Sequence, residues 1–292
     1  MRRKFLDAKY FMILPSIGLI LLVTIFPFIF TINLSAYSLY GTYDPIPEKF
    51  VGLSNYMSSL TDPKLYESIE VTITYTAAAT LLEFVIGLGL AILMNRPLRF
   101  KRILIPLYIV PMAIAPAIYG TFWTILLNLE FGVVPYYFRS LLGIDIRPLN
   151  MANALWTLVF IDTLQWTPFV FLILYAALQS LPAEPFESAI VDGASRFQIF
   201  RHITLPLLSP AMGIAILFRS IGAYKAFDTI MVLTGGGPGL STTSISYYVY
   251  RIFFLGFDVG KGCALTLIIG MALFYIFIGI RSLYRRILTW GK

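Results

Sequence analysis

The sequence predicts an all-α membrane protein with about six transmembrane helices. Of its 292 residues, 58% are hydrophobic and 13% are charged, and the mean hydropathy of +0.80 is far above that of an ordinary soluble domain. Several apolar segments are also long enough to cross a bilayer, because a helix needs about 20 apolar residues to span roughly 30 Å of hydrocarbon. We expect one transmembrane domain, residues 1–292, with a core at about 65–285.

Six segments meet this length criterion. They are approximately residues 10–37, 71–94, 103–127, 153–178, 207–233 and 263–284. Basic residues precede the first segment, as they would in a secretory signal, but its apolar run is much longer than a cleavable core of about 7 to 15 residues. We therefore expect it to be retained as the first span.

The distribution of lysine and arginine predicts the orientation of the chain. If the N-terminus is cytoplasmic, the inner segments hold fourteen of these residues and the outer loops hold six. Cytoplasmic segments of membrane proteins are enriched in lysine and arginine. Both termini are therefore predicted to be cytoplasmic, and the protein is expected in the plasma (inner) membrane. The net charge of +7 is explained by these cytoplasmic segments and does not indicate nucleic-acid binding.

The composition argues against an enzyme. The single cysteine and the single histidine, Cys263 and His202, exclude an intramolecular disulfide and a Cys/His metal cluster. The glycine run TGGGPG at 234–239 lacks the Gly-Lys-Ser/Thr ending of a P-loop, so we expect only an irregular turn that ends the fifth helix. No catalytic residue, metal or cofactor is predicted.

A polar insert, residues 182–206, separates the fourth and fifth predicted spans. Pro182 and Pro185 suit the first turn of a short helix at about 183–191, and Gly193 suits the left-handed stop that would end it. Ser195 and Gln198 have the spacing of a capping box, which would begin a second short helix. The insert is therefore predicted to be a bent pair of cytoplasmic helices.

Pro206 is predicted to end the second of these helices just before the fifth span. One side of that helix is apolar, and it consists of Phe197, Ile199, Phe200 and Ile203. An apolar surface in the cytoplasm could rest on the membrane as an amphipathic elbow, or it could dock on another subunit. The residues alone leave both interpretations open.

The insert resembles the EAA signature of permease subunits in ATP-binding cassette importers. The matching residues are Glu187-Ser188-Ala189, Gly193, Ile203 and Leu205-Pro206. Serine replaces the family's alanine at position 188, one small residue for another. QSLP at 179–182, DGAS at 192–195 and FDTIMVLTGGGPG at 227–239 are similar to the carbohydrate-uptake branch, the sugar and glycerol-phosphate permeases. The resemblance covers most of the chain from the second span onward.

This resemblance implies a role for the insert in coupling the chain to an ATPase. In such importers the loop sits in a cleft of a cytoplasmic ATPase and passes nucleotide-driven closure to the membrane helices. The resemblance also implies that basic groups of the ATPase cleft hold Glu187. The implied coupling residues are Glu187, Ser188, Ala189, Asp192, Gly193, Ala194, Leu205 and Pro206. The implied partners are two ATPase subunits, an extracytoplasmic solute-binding protein and a second permease, which in this family is usually not identical to the first.

Two polar stripes within the spans are candidates for solute binding. The fourth span carries Asp162, Gln165, Trp166 and Phe169 at helical spacing, and the fifth carries Arg219, Gly222, Ala223 and Ala226. Carboxylate, amide, guanidinium and aromatic groups are what a sugar site needs. Their roles could instead be packing, with Asp162 and Arg219 neutralising each other.

The resemblance favours these stripes, because maltose-type permeases contact substrate at matching positions. The sites proposed from it are Asp162, Gln165, Trp166, Phe169, Arg219, Ala223 and Ala226. Arginine and alanines stand where polar groups contact maltose, so an anionic solute such as a sugar phosphate is also possible.

The other charged residues within the spans have simpler interpretations. Lys225 and Asp228 are three positions apart and are expected to form a local ion pair, while Glu83 is left unassigned. An alternative function is a secondary transporter that relays protons through Asp162, Glu83 or Asp228. It would need no ATPase.

Overall fold

The computed structural model describes residues 2–41 and 49–289, with side chains at 12–41 and 49–275. Most of these residues are helical. The helices are α1 Arg2–Ser35, α2 Ser54–Leu60, α3 Pro63–Met94, α4 Lys101–Ala113, α5 Pro116–Leu126, α6 Val133–Leu142, α7 Ala154–Gln179, α8 Glu184–Val191, α9 Arg196–Ile199, α10 Leu205–Tyr224, α11 Asp228–Leu233, α12 Ile245–Tyr250 and α13 Val259–Thr289. Two π-helical turns, Phe200–Thr204 and Arg251–Leu255, and a small antiparallel pair, β1 Tyr37–Ser38 and β2 Lys49–Phe50, complete the described structure.

The contacts divide the chain into two compact units. One comprises Met1–Leu65 and Tyr248–Lys292, and the other comprises Tyr66–Tyr247. In the first unit α13 packs against α1 and α2. Gly260 on α13 lies so close to the carbonyl oxygen of Tyr37 that no side chain would fit there.

An ionic contact also holds the first unit together at the start of α3. The Asp62 carboxylate accepts hydrogen bonds from the Tyr248 hydroxyl at 2.6 Å and from the Lys261 ammonium at 2.9 Å. Burial alone would raise the pKa of Asp62, but these hydrogen bonds outweigh it and the pKa is lowered. The carboxylate therefore stays ionised and links three parts of this unit.

Helix α7 lies at the centre of the second unit, where it packs against α4 and α10. A hydrophobic cluster surrounds its C-terminal half, and comprises Ala91, Val170, Phe171, Leu174, Leu178, Leu208 and Ala215. Gly87 on α3 allows close packing here, because a Cβ atom at this position would lie 2.9 Å from Val170 Cγ1. Two helices can therefore approach through a glycine, as is common in membrane proteins.

Within the residues that the structure describes, four helices are long and apolar enough to cross a membrane. The number of spans rises to five if two consecutive helices separated by a sharp break count as one span. The four are Met12–Ser35, Pro63–Met94, Ala154–Gln179 and Arg196–Tyr224. The two helices that could together form a fifth span are α4 and α5. A shorter apolar helix, Val259–Tyr275, corresponds to the sixth predicted segment. A mostly helical membrane fold is confirmed, while the count of six spans and the cytoplasmic position of both termini stay predictions.

The third predicted segment, 103–127, is not one continuous helix. Helices α4 and α5 meet at an angle of 95°, with Ile114 and Ala115 in extended conformations between them. Pro116 causes the break, because a proline disfavours helical conformation in the preceding residue.

The fifth predicted segment, 207–233, is also divided. Helix α10 ends at Tyr224, and α11 begins only at Asp228. The glycine run at 234–239 forms a turn, as predicted, and follows α11. It therefore ends a separate short helix.

The polar insert 182–206 contains α8 and α9, called the bent helix pair below, and its N-terminal side has the predicted form. Helix α8 ends in a Schellman motif, in which the Ala194 amide donates to Ala189 O at 2.9 Å and the Gly193 amide donates to Ile190 O at 3.1 Å. Gly193 has a φ of +75°, which glycine adopts without steric cost. The Ser195 hydroxyl and the Gln198 side chain form the predicted capping box.

The prediction that Pro206 ends the second helix is wrong. Helix α9 continues through the π-helical turn Phe200–Thr204 directly into α10. A proline inside an α-helix clashes with the carbonyl group four residues earlier. The wider π turn changes the hydrogen-bond register immediately before Pro206, so the proline falls in the first turn of α10.

Candidate functional site

Three helices of the second unit meet at a buried ion triad, which consists of Glu83 on α3, Asp162 on α7 and Arg219 on α10. Arg219 Nη2 donates to Glu83 Oε1 and to Asp162 Oδ2, each at 2.6 Å, and Arg219 Nε donates to Glu83 Oε2. All three side chains are buried. Two parallel hydrogen bonds to one carboxylate are the strongest arrangement available to a guanidinium.

The triad bears on two sequence interpretations. Asp162 and Arg219 do pair, as one interpretation of the stripes proposed, and Glu83 supplies the second carboxylate. Glu83 and Arg219 are 136 positions apart, so helical spacing could not bring them together. The only signal was that each is a charged residue within a span, where an opposite charge is expected nearby.

A cavity of about 210 Å³ opens beside the triad. Its lining residues are Pro116, Asp162, Trp166, Phe169, Phe218, Arg219, Gly222, Lys225, Ala226, Phe227, Asp228 and Thr229. The Trp166 ring lies over the guanidinium, with 5.4 Å between its centroid and Arg219 Cζ, a cation–π distance. Aromatic, cationic and carboxylate groups therefore share one small cavity.

Most, but not all, of the predicted stripe residues reach this cavity. Asp162, Trp166, Phe169, Arg219 and Ala226 line it. Ala223 and Gln165 are buried outside the lining. Gln165 Nε2 donates to Ile114 O at 2.9 Å, which satisfies a backbone carbonyl at the α4–α5 break.

The predicted ion pair between Lys225 and Asp228 is wrong. In the described structure no ion pair joins them, and both line the cavity. Their spacing of three positions requires a continuous helix, but α10 ends at Tyr224 and α11 begins at Asp228. The helix break leaves both charged groups on the cavity wall.

Sequence reasoning missed several lining residues. These are Pro116, Phe218, Phe227 and Thr229. Pro116 and Thr229 belong to α5 and α11, the short helices that follow the two breaks. A search for continuous helical stripes could not include them, although Pro116 itself was a signal for the first break.

The bent helix pair presents a mixed polar and apolar surface. Glu187 is exposed and forms no ion pair with any residue that the structure describes. Val191 and Phe197 are 86% and 67% exposed. The other implied coupling residues lie nearby in sequence: Ser188, Asp192 and Pro206 are exposed, while Ala189, Ala194 and Leu205 are half-buried.

Comparisons with known proteins identify the family. Residues 83–288 match the family described as binding-protein-dependent transport system inner membrane component. The trehalose/maltose transport system permease protein of Thermococcus litoralis is 37% identical over 272 residues, which cover 91% of this chain and 90% of that protein. The sulfoquinovosyl glycerol transport system permease protein of Agrobacterium fabrum is 32% identical, with 94% and 88% covered.

A solved structure shows the same fold. It is a bacterial alginate ABC transporter in complex with an alginate pentasaccharide-bound periplasmic protein. The TM-score is 0.84 at 22% identity, and the likeness covers 98% of this chain and 96% of that one. The chain therefore belongs to the binding-protein-dependent transport system inner membrane component family, the integral membrane permease subunits of ATP-binding cassette importers.

Proposed function

We propose that this permease carries a sugar or a related glycoside across the membrane and is driven by ATPase subunits that dock on residues 182–206. The observation that carries the proposal is the bent helix pair, which combines a fixed bend at Gly193 with an exposed Glu187 that forms no ion pair within the described residues. The printed names of the relatives support the substrate class, because they describe transport of trehalose/maltose and of sulfoquinovosyl glycerol.

The bent helix pair is suited to transmit force because its second helix, α9, is continuous with the membrane helix α10. Helix α9 runs without interruption into α10, and α10 carries Arg219, which is bonded to α3 and α7. A displacement of the pair by a docked ATPase would therefore move several helices of this unit together. Rigid-body motion of this kind can open a path alternately to each side.

The proposed assembly contains two permeases, two ATPase subunits and an extracytoplasmic solute-binding protein. ATP hydrolysis belongs to the ATPase subunits. The binding protein would deliver solute to the outer loops, including the glycine run at 234–239. The alginate transporter was solved with a periplasmic protein bound, which is consistent with such delivery.

The proposed membrane topology has six spans and cytoplasmic termini, with the whole chain acting as one permease domain. Helices α4 and α5 together would form the third span, and α13 would form the sixth. The loop before α4 carries Arg96, Arg99, Lys101 and Arg102, and such a cluster is typical of a cytoplasmic loop.

The proposed solute site is the cavity beside the ion triad. Trp166 and Phe169 would pack against the apolar face of a sugar ring, while Asp162 and Arg219 supply polar groups. Ala226 leaves room for the ring. Gln165 and Ala223 lie outside the lining and would support the cavity indirectly. Gln165 would do so through its hydrogen bond to Ile114, and Ala223 through the close packing of α10.

Charge reversal at Glu187 tests the coupling role. Glu187→Lys should abolish ATP-dependent uptake and co-purification of the ATPase, because basic groups of an ATPase cleft would repel the lysine. Membrane insertion should be unchanged. The measurements are solute uptake by membrane vesicles and affinity purification of the tagged chain in mild detergent.

Glu184→Lys is the matched control, since Glu184 is also exposed on α8, three residues earlier. We expect this variant to retain most uptake and the bound ATPase. Full uptake by Glu187→Lys would contradict the docking role. Uptake that stops with a proton uncoupler but persists without ATP would instead support the secondary-transporter interpretation.

A further inference from the structure

We infer that the cavity selects uncharged, hydroxyl-bearing solutes and that Gly222 is the specificity-determining residue that exposes Arg219 to them. This inference rests on the proposed transport function. It concerns one feature of the cavity wall: a guanidinium whose charge is already balanced by carboxylates but whose outer edge still has hydrogen-bond donors.

The guanidinium of Arg219 uses one edge for the carboxylates. Nε and Nη2 donate to Glu83, and Nη2 also donates to Asp162. Nη1 carries two further N–H groups, and it has no hydrogen-bond acceptor among the residues that the structure describes. These donors are available to a molecule in the cavity.

Gly222 lies where a side chain would cover this edge. A Cβ atom at position 222 would stand 2.9 Å from Arg219 Nη1, closer than ordinary van der Waals contact. Gly222 is exposed, and like Arg219 it lines the cavity. The guanidinium cannot swing aside easily, because two carboxylates and the Trp166 ring hold it. The missing side chain therefore leaves a notch through which Nη1 reaches the cavity.

The charges around the cavity disfavour an anionic solute. Among the lining residues, Arg219 and Lys225 supply two formal positive charges and Asp162 and Asp228 supply two negative ones, so the lining has no net positive charge. Arg219 is also paired with Glu83, which lies outside the lining. A phosphate or carboxylate group would therefore find no excess of positive charge to bind it, because Arg219 is already paired with carboxylates, and the like charges of Asp162 and Asp228 would repel it. The carboxylates around Arg219 therefore argue against the sugar phosphate that an arginine in this span suggested.

An uncharged sugar fits each group in turn. A hydroxyl or ring oxygen can accept a hydrogen bond from Nη1, and other hydroxyls can donate to Asp228 or accept from Lys225. The apolar face of the ring can pack on Trp166, whose ring is held in place above the guanidinium. Recognition would then depend on hydrogen bonds and stacking, with no net charge attraction.

The test measures ATP-driven uptake by membrane vesicles that contain the complete transporter. Two sets of radiolabelled probes are compared at equal concentration: uncharged mono- and disaccharides, including trehalose, and anionic solutes, including glycerol 3-phosphate and glucuronate. We expect uptake of at least one uncharged sugar, with the anionic set taken up at less than a tenth of that rate. Gly222→Ala should lower uptake of that sugar at least tenfold at subsaturating concentration while the ATPase still co-purifies.

Gly89→Ala is the matched control. Gly89 is also a helical glycine of the second unit, but a Cβ atom there meets nothing within 4 Å. Both substitutions replace a helical glycine with a better helix former, so a defect confined to Gly222→Ala points to the space beside Arg219 and not to helix propensity. Gly89→Ala should transport like the unsubstituted protein.

Three outcomes would overturn parts of this inference in distinguishable ways. Uptake of an anionic probe at a rate equal to that of the uncharged sugars refutes the selectivity. Unchanged uptake by Gly222→Ala refutes the role of the notch. ATP-driven uptake of neither probe set contradicts the proposed sugar function itself, and with it the inference.

Discussion

At the scale of single residues, the buried ion triad is expected to have a direct energetic consequence. A charged side chain inside a membrane is costly unless it is paired, and here one arginine satisfies two carboxylates on different helices. Removing one partner of a buried pair usually destabilises more than the pair itself contributes, because an uncompensated charge remains. The triad should therefore respond strongly to a change that preserves shape but removes charge.

Glu83→Gln makes this change. We expect it to lower the free energy of unfolding by about 3 to 5 kcal/mol, since Arg219 would lose an ionic partner and one of two parallel hydrogen bonds. Tryptophan fluorescence of the purified protein, followed during denaturation in mixed micelles, measures the loss. Glu70→Gln on the exposed side of the same helix should change stability by about 0.5 kcal/mol or less. Equal losses of unfolding free energy in the two variants would show that the triad does not stabilise the fold more than an exposed glutamate does.

The residue scale also shows the limit of sequence reasoning about the site. Asp162, Trp166 and Phe169 could be placed together because helical spacing relates them along α7. Glu83 could not, because its partner lies on another helix and its position depends on how the helices pack. Gly222 was recognised as a small residue, but its nearness to Arg219 Nη1 is a three-dimensional fact.

At the scale of elements, the bend between α8 and α9 could be predicted in detail, although the end of the second helix could not. Its Schellman motif and capping box use hydrogen bonds between residues three to five positions apart, so the sequence contains all of the information. The breaks in the third and fifth segments were missed for a different reason. Average hydropathy continues across both breaks, and only local backbone conformation interrupts the helices.

Gly193→Val tests the bend in this element. Valine at a φ of +75° is strained by roughly 1 to 2 kcal/mol, so we expect the pair to straighten and ATP-dependent uptake to fall at least tenfold. Vesicle uptake and ATPase co-purification are the measurements.

Gly143→Val provides the control for this experiment. Gly143 has a φ of +67° and, as at Gly193, a Cβ atom added there would meet nothing within 4 Å, but it ends α6 in a different loop. The strain is therefore comparable while the proposed ATPase contact is untouched. If both variants lose uptake equally, backbone strain alone explains the defect and the bend has no specific role in coupling.

At the scale of the whole molecule, charge and hydropathy together predict how the chain lies in the membrane. The family and the mostly helical fold follow from patterns that extend over most of the sequence, which is why they could be predicted. Orientation depends on a different signal, the excess of lysine and arginine in alternate loops. That signal predicts that residues 96–102 and 182–206 lie on the cytoplasmic side and that α6 lies outside.

Cysteine labelling tests this orientation. The single cysteine, Cys263, is buried, so Cys263→Ala gives a cysteine-free background. Single cysteines are then introduced at two exposed positions, Arg99→Cys before α4 and Ser140→Cys on α6. A maleimide reagent that cannot cross membranes should label position 140 in intact cells and position 99 only after permeabilisation. The reverse pattern would invert the topology and place the bent helix pair outside, where no ATPase could reach it.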